Sequence, residues 1–98
     1  MNFSLSFSSS AKQTLKELKN STNLEKRYKA VSKALKFLSE NSRHPSLQTH
    51  PYSSFSGPNG EKVFEAYAEQ DTPAAYRIFF YYGCTRQEIT IFAITPHP

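Results

Sequence analysis

The 98-residue sequence has one cysteine, Cys84, and no apolar run long enough to cross a membrane. A single cysteine cannot form an internal disulfide, and no cysteine pair is present for a metal site. A membrane-spanning helix needs about 20 apolar residues, and the N-terminal segment has neither a basic leader nor an apolar stretch of signal-peptide length. These absences favour a reducing, cytoplasmic setting and predict no membrane association.

The motifs of several enzyme classes are also missing. The chain contains no glycine-rich phosphate loop and no serine elbow. His44 and His50 lack the spacing of a zinc site, and Cys84 has no activating partner nearby in the sequence. We therefore expect no metal, no cofactor and no thiol catalysis.

Positive charge is concentrated in the first half of the chain. The formal net charge is +4, and most basic residues lie between Lys12 and Arg43. This distribution favours a polyanionic partner such as RNA, DNA or an acidic protein segment, although a basic helix surface is often only a solvated face. The length allows one domain, covering residues 1–98.

Two helices are predicted after a short N-terminal strand, "NFSLSF", whose apolar residues alternate with polar ones. A capping box of Ser10 with Gln13 predicts a first amphipathic helix that ends near Asn20. A second capping box, Thr22–Glu25, precedes a longer apolar stripe that ends near Asn41. The two helices should form a hairpin with lysines and arginines facing outward.

Strands dominate the second half. The Pro-, Ser- and Gly-rich stretch from Ser42 to Gly60 indicates irregular or edge structure, with one short strand around residues 46–49. Three strand segments follow, "EKVFEAYA", "AYRIFFYYG" and "EITIFAIT", joined by loops short enough for hairpins. This order predicts an α+β domain, in which an N-terminal strand and a helical hairpin pack on an antiparallel sheet of four to five strands.

Alternation along the strands sorts their side chains onto two faces, if the hairpin loops are centred near Thr72 and Thr85. The face expected to receive the helices carries Phe64, Ala66, Ala68, Tyr76, Ile78, Phe80, Thr90, Phe92 and Ile94. The open face carries Val63, Glu65, Tyr67, Arg77, Phe79, Tyr81, Ile89, Ile91, Ala93 and Thr95.

A candidate site follows from this register. Arg77 lies opposite Tyr67 and diagonal to Glu65, and the last strand brings His97 toward the same end of the open face. A guanidinium offers forked donors to a phosphate, so Arg77 is a candidate phosphate clamp. The simpler alternatives are an ion pair between Arg77 and Glu65, or exposed strand residues without a function.

Further residues are candidates for RNA contact. Tyr67, Tyr81 and the loop residue Tyr52 are placed to stack on unpaired bases, although most aromatic residues in so small a domain serve packing. Lys62 and Arg86 are candidate contacts for the RNA backbone, with plain surface charge as the alternative.

The segments "EKVFEAYAEQDTPAAYRIFFYYG" and "EITIFAITPHP", behind a strand and a helical hairpin, resemble the RelE/ParE superfamily of toxin–antitoxin proteins. The resemblance covers essentially the whole chain and rests mainly on "YRIFFYY" and the "PHP" tail. It implies a type II toxin with a cognate antitoxin. RelE-like members are ribosome-dependent mRNA endonucleases, whereas ParE-like members inhibit DNA gyrase without catalysis.

The resemblance also implies roles for individual residues. Arg77 matches the arginine that RelE-like nucleases direct at the scissile phosphate, and Glu65 and His97 match the base and acid of one nuclease branch. The strand around Lys62 is less basic than in the lysine-dependent nucleases, and Pro98 follows His97 where an aromatic residue is usual. The expectation is a ribosome-dependent endoribonuclease, with a gyrase inhibitor or an inactive relative as alternatives.

Overall fold

The computed structural model describes residues 2–83, 85 and 87–97. The elements in chain order are β1 (Ser4–Phe7), α1 (Ser9–Asn20), a 3₁₀ turn (Thr22–Leu24), α2 (Glu25–Glu40), a second 3₁₀ turn (Pro45–Leu47), β2 (His50–Ser56), β3 (Lys62–Tyr67), β4 (Tyr76–Tyr82) and β5 (Glu88–Pro96). The predicted α+β class, with a strand and a helical hairpin ahead of the meander, is confirmed. Predictions that concern Cys84, Arg86 and Pro98 lie outside the described residues.

The five strands form one sheet in the order β1-β5-β4-β3-β2. Strands β2 to β5 pair as antiparallel neighbours, and β1 pairs with β5 in parallel. A parallel pair needs a long crossover, and the helical hairpin between β1 and the meander supplies it. The sheet edges are therefore β1 and β2.

The first helix begins at a different cap from the predicted one. Ser8, rather than Ser10, is the N-cap, and its Oγ accepts a hydrogen bond from the Ala11 backbone N–H at 3.0 Å. The same hydroxyl donates to the Phe92 carbonyl at 2.8 Å, which ties the start of α1 to β5. Thr22 makes no side-chain cap either, because a 3₁₀ turn leads directly into α2.

The helices cover one face of the sheet, here called the helix face, which carries Ala66, Ile78, Phe80 and Ile94. These four residues are at most 2% exposed and pack in one cluster with the helix residues Ala11, Leu18, Val31, Ala34, Leu35 and Leu38. The prediction that the helices pack on this face is confirmed. The opposite face, with Glu65, Tyr67, Arg77 and Phe79, is called the site face.

Strand β5 departs from the predicted alternation. The β4–β5 register shifts between Phe79 and Phe80, so that Phe79 pairs with Ala93 and Phe80 with Ile91. One additional residue in β5 reverses the faces beyond that point. The predicted positions of Thr90, Phe92, Ile89 and Ile91 are therefore wrong: Ile89 and Ile91 are fully buried in the helix-face core, and Phe92 contacts Phe55 and Tyr81.

The strand predicted at residues 46–49 is also wrong, because that stretch forms a turn. Pro45 opens the 3₁₀ turn, and the His44 ring accepts a hydrogen bond from the Ser46 N–H, as a helix cap does. Gln48 then adopts a left-handed conformation with φ of 50°, and the chain enters β2 at His50. Tyr52 consequently lies on a strand and not in a loop.

Strand β2 bends over the site face. Its register against β3 shifts between Pro51 and Ser56. The rings of Tyr52 and Phe55 lie 4.8 and 5.0 Å from that of Phe79, measured between centroids. Phe79 and Val63 are each 1% exposed. The face expected to be open is therefore partly covered by its own edge strand.

Candidate active site

Glu65 forms the centre of a charged cluster on the site face. It projects from the middle of β3 and is only 3% exposed. Its Oε2 accepts a hydrogen bond from Arg77 Nη1 at 2.8 Å, and its Oε1 lies 2.7 Å from His50 Nε2. Both carboxylate oxygens are thus held by cationic or potentially cationic groups, as a buried carboxylate requires.

Arg77, at the start of β4, sits within an aromatic frame. Its Cζ atom is 4.9 Å from the Phe79 ring centroid and 5.9 Å from that of Tyr52. The side chain is 13% exposed, and its Nε is buried without a hydrogen-bond partner among the described residues. The predicted pairing of Arg77 with Tyr67, diagonal to Glu65, is confirmed. Arg77 is therefore a fixed, weakly solvated cation. In these surroundings its electrostatic interactions are stronger than they would be in water.

His50 is the residue that the sequence analysis missed. Its Nδ1 is 2.7 Å from the Gln48 carbonyl, and its Nε2 contacts Glu65. A carbonyl and an ionised carboxylate only accept hydrogen bonds, so the ring makes both bonds when it is doubly protonated. In that state, the cluster of Arg77, Glu65 and His50 carries two positive charges and one negative charge.

The contact between His50 and Glu65 could not be predicted by counting residues back from the turn between β2 and β3. The Ser56–Lys62 pair next to the "GPNG" turn would align His50 with Ala68 in an unbroken hairpin. The register shift in β2 moves His50 to Glu65 instead. Without that shift, no cross-strand partner for the histidine can be assigned from the sequence.

Tyr67 lies beside this cluster, directly opposite Arg77 on β3. Burial, and then the adjacent Glu65 charge and a hydrogen bond to Glu65, raise the pKa of the Tyr67 phenol above its ordinary value. The phenol therefore stays protonated and remains a donor. The His50 ring packs at 5.7 Å from the Tyr67 ring, between centroids.

His97 reaches the same end of the sheet by its backbone. Thr95 pairs with Arg77, and the His97 N–H donates to the Ala75 carbonyl at 2.8 Å. His97 is exposed and lines a pocket of about 780 Å³ together with Tyr67 and the loop between β3 and β4. The structure thus brings Glu65 and Arg77 into contact and places His97 nearby, while the imidazole that contacts Glu65 belongs to His50.

Arg27 of α2 fixes the loop on the other side of this pocket. Its guanidinium donates to the Ala74 carbonyl at 2.5 Å and to the Pro73 carbonyl at 2.9 Å. It also pairs with Glu69 at 3.5 Å, and Glu69 accepts a hydrogen bond from the Tyr76 N–H. The helical hairpin therefore holds the pocket wall in place.

The other predicted RNA contacts lie at a distance from Arg77. Tyr81 is on the site face, four residues further along β4, which is about 13 Å at roughly 3.3 Å per residue. Lys62 lies on the helix face, where its Nζ is 5.8 Å from the Phe64 ring centroid. Arg86 is outside the described residues.

The described part of the chain contains neither a metal-binding cluster nor a membrane-spanning helix. In residues 2–83, 85 and 87–97, no group of three or more histidine, cysteine or acidic residues is placed to hold a metal ion. None of the helices described is long and apolar enough to cross a membrane.

Comparison with known proteins identifies the fold. Neither a protein-family model nor a curated protein sequence matches the chain. Two solved structures do. One is a chain of the archaeal RelE–RelB complex of Pyrococcus horikoshii OT3, with a TM-score of 0.64 and 11% identity over 98% of this chain and 96% of that chain. The other is from the YoeB dimer of Staphylococcus aureus, with a TM-score of 0.69 and 13% identity over the full length of both chains. The fold implied by the sequence resemblance is confirmed.

Proposed function

We propose that this protein is the toxin of a type II toxin–antitoxin pair and cleaves mRNA on the ribosome. The observation that carries the proposal is the Arg77 guanidinium, held 2.8 Å from Glu65 in an aromatic frame and only 13% exposed. A preorganised cation of this kind stabilises the charge that develops on a phosphate during cleavage. The RelE and YoeB folds support the toxin assignment.

The reaction needs three groups if it proceeds by attack of the neighbouring 2′-hydroxyl. A base takes the proton of that hydroxyl, the oxygen attacks phosphorus, and an acid protonates the departing 5′-oxygen. We assign the base to Glu65, the phosphate clamp to Arg77 and the acid to His97. The products are a 2′,3′-cyclic phosphate and a 5′-hydroxyl.

Glu65 becomes available as a base when Arg77 turns to the substrate. In the free protein, Arg77 Nη1 occupies Oε2 and His50 occupies Oε1. A phosphate competes with the carboxylate for the guanidinium, because both accept its forked N–H groups. Transfer of Arg77 to the phosphate frees Oε2 for the proton, while His50 continues to hold Oε1.

His97 and Tyr67 complete the site around the scissile bond. Both line the 780 Å³ pocket next to the cluster, which leaves space for a nucleotide. His97 is exposed and therefore accessible to a leaving group. Tyr67, whose pKa is raised by burial and by Glu65, supplies a neutral ring and a donor beside the substrate.

A cognate antitoxin is the expected protein partner. The similar archaeal structure is a RelE–RelB complex. The present chain is basic, with a formal charge of +4, so an acidic antitoxin segment fits its surface. Such a segment would keep the toxin from the ribosome until it is removed.

The test is induced expression in growing cells followed by mapping of mRNA 5′ ends by primer extension. The wild type should produce new cuts within translated codons. Arg77→Ala should abolish them, and His97→Ala should slow cleavage by about 10²–10⁴-fold. Arg77→Lys keeps a positive charge beside Glu65 but lacks the forked N–H donors of the guanidinium. A partial loss of cleavage in this variant would therefore reflect catalysis and not a failure to fold.

Lys12→Gln, an exposed change on α1, is the matched control and should cut as the wild type does. Cuts that persist in Arg77→Ala would overturn the proposed site. Growth arrest without any mRNA cuts would favour a gyrase inhibitor over a nuclease. The absence of both cuts and growth arrest would indicate an inactive protein.

A further inference from the structure

A second pocket, of about 410 Å³, lies where the α2–β2 connection meets β2 and β3. Its lining comprises Arg43, His44, Pro45, Gln48, Thr49, His50, Pro51, Lys62, Phe64 and Tyr82. Among these residues there are two permanent cations and two histidines but no carboxylate. A pocket of this composition attracts an anion.

The permanent cations of this pocket, Arg43 and Lys62, are not neutralised by any carboxylate in the part of the chain that the structure describes. Arg43 and Lys62 are exposed, and neither forms an ion pair with the described residues. Each of the other described arginines, Arg27 and Arg77, pairs with a carboxylate. Arg43 and Lys62 therefore offer their full charge to a ligand.

His44 adds a neutral donor. Its ring stacks on Phe37 with centroids 4.0 Å apart and planes 4° apart. Its Nδ1 accepts a hydrogen bond from the Ser46 N–H at 3.1 Å, which places the ring proton on Nε2. The imidazole is thus fixed in position and tautomer, with an N–H left for a ligand oxygen.

His50 links this pocket to the cluster around Arg77. It lines the pocket, and its Nε2 contacts Glu65 Oε1 at 2.7 Å, while Glu65 Oε2 contacts Arg77 at 2.8 Å. The two sites lie on opposite faces of the sheet but meet at the first residue of the edge strand β2. A ligand with regularly repeated negative charges can reach both sites by passing around this end of β2.

We infer that the Arg43–His44–Lys62 pocket binds a backbone phosphate of the RNA that flanks the phosphate held by Arg77. This inference rests on the proposed function for the identity of the RNA. Arginine with its planar fork, lysine as a point charge and a neutral imidazole donor together suit the several oxygens of a phosphate. The pocket also gives Lys62 a role that its distance from Arg77 would otherwise leave without explanation.

Binding of a short single-stranded RNA with 2′-O-methyl sugars tests the inference, because this probe lacks the attacking hydroxyl and cannot be cleaved. Its dissociation constant is measured by fluorescence anisotropy against salt concentration. We compare the wild type, Arg43→Gln/Lys62→Gln and Lys12→Gln/Lys16→Gln, which removes the same charge from exposed positions of α1. Loss of the one phosphate contact that Arg43 and Lys62 share should lower the salt slope by about 0.7, the value per neutralised phosphate for single strands.

A salt slope in Arg43→Gln/Lys62→Gln equal to that of the α1 control would overturn the inference. The inference would also be overturned if the binding of an acidic peptide, poly-glutamate, depended on Arg43 and Lys62 while the binding of the RNA did not. A site for free phosphate is distinguished by titration with inorganic phosphate, in which the NMR signals of the His44 and His50 ring protons are monitored. If these signals shift with phosphate but the pocket does not bind RNA, the RNA assignment is overturned.

The outcome is separable from that of the proposed nuclease. Arg77→Ala should lose mRNA cuts in cells but keep the Arg43- and Lys62-dependent salt slope. A wild type that binds the probe through this pocket but makes no cuts would refute the nuclease alone. A wild type that makes Arg77-dependent cuts but binds without Arg43 and Lys62 would refute the pocket alone.

Discussion

The helix face and the site face of the central sheet are both buried, but by different means. On the helix face, Ile78 and Phe80 are fully buried under two helices in an entirely apolar cluster. On the site face, Phe79 is as deeply buried, yet its neighbours include Glu65 and Arg77 in direct ion contact. The cover there is β2, a bent edge strand, and not a helix.

This difference separates stability from function. An apolar cluster stabilises a fold in proportion to the area removed from water. A buried ion pair contributes little, since the loss of hydration offsets much of the attraction, and an apolar replacement of similar volume is often neutral or stabilising. The apolar cluster of the helix face therefore contributes more to stability than the ion pair of Glu65 and Arg77, and the role proposed for these two charges is in cleavage.

The largest expected effect on stability is on the helix face. Phe80→Ala should lower the free energy of unfolding by about 3–5 kcal/mol, because it opens a cavity in the core. Urea unfolding measures the change, with Phe55→Ala as the control, since Phe55 is 39% exposed. Equal losses in both variants would contradict the division between the two faces.

Removal of one charge on the site face should have the next largest effect. Arg77→Met leaves Glu65 buried without its permanent cation, with His50 and the neutral Tyr67 as remaining partners, and should lower the free energy of unfolding by about 3 kcal/mol. Arg43→Met, at an exposed arginine, should change it by about 0.5 kcal/mol or less. If Arg77→Met matched this control in urea unfolding, the cluster would be solvated and not buried.

A smaller effect is expected at the loop that borders the 780 Å³ pocket. Arg27→Ala removes the donors to Pro73 and Ala74 and should cost about 1–2 kcal/mol locally. Hydrogen exchange at the Tyr76 amide, which bonds to Glu69, should speed up. Lys29→Ala breaks only the exposed pair with Glu25 and should leave this exchange rate unchanged. Unaltered exchange in Arg27→Ala would show that α2 does not hold the loop.

The smallest effect appears only at alkaline pH. The folded protein keeps the proton of Tyr67 to a higher pH than the unfolded chain, whose tyrosines ionise near pH 10. The stability that the protonated Tyr67 phenol contributes to the folded state is fully present below about pH 10. It is lost as the pH rises through the pKa of Tyr67 in the folded protein. Tyr67→Phe should therefore lose less stability than the wild type above about pH 10. Parallel pH profiles for the wild type and Tyr67→Phe would refute the raised pKa.

Local patterns predicted most of the fold. Helical spacing located both helices, and the loop centred near Thr72 predicted the pairing of Arg77 with Tyr67, because a short hairpin leaves little freedom in register. The bulge that reverses the faces of β5 was not predictable. Apolar residues occur at both odd and even positions of this strand, as Ile89, Ile91, Phe92 and Ile94 show, so the sequence has no regular alternation in which a change of face would be visible.

The candidate site was only partly predictable for a similar reason. Glu65 and Arg77 meet on adjacent strands with regular register, so their proximity follows from counting residues. His50 reaches Glu65 only because β2 is shifted against β3, and Lys62 alternates onto the helix face. The roles of Glu65, Arg77 and His97 in cleavage stay predictions until the mRNA cuts are mapped.

The most direct test replaces both buried charges at once. Glu65→Leu/Arg77→Met should unfold in urea at a free energy equal to or above that of the wild type, because a well-packed apolar pair substitutes for the ion pair. The same variant should produce no mRNA cuts when expressed in growing cells. A double variant that is as unstable as Arg77→Met alone, or one that still cuts mRNA, would contradict the proposal that these charges serve catalysis.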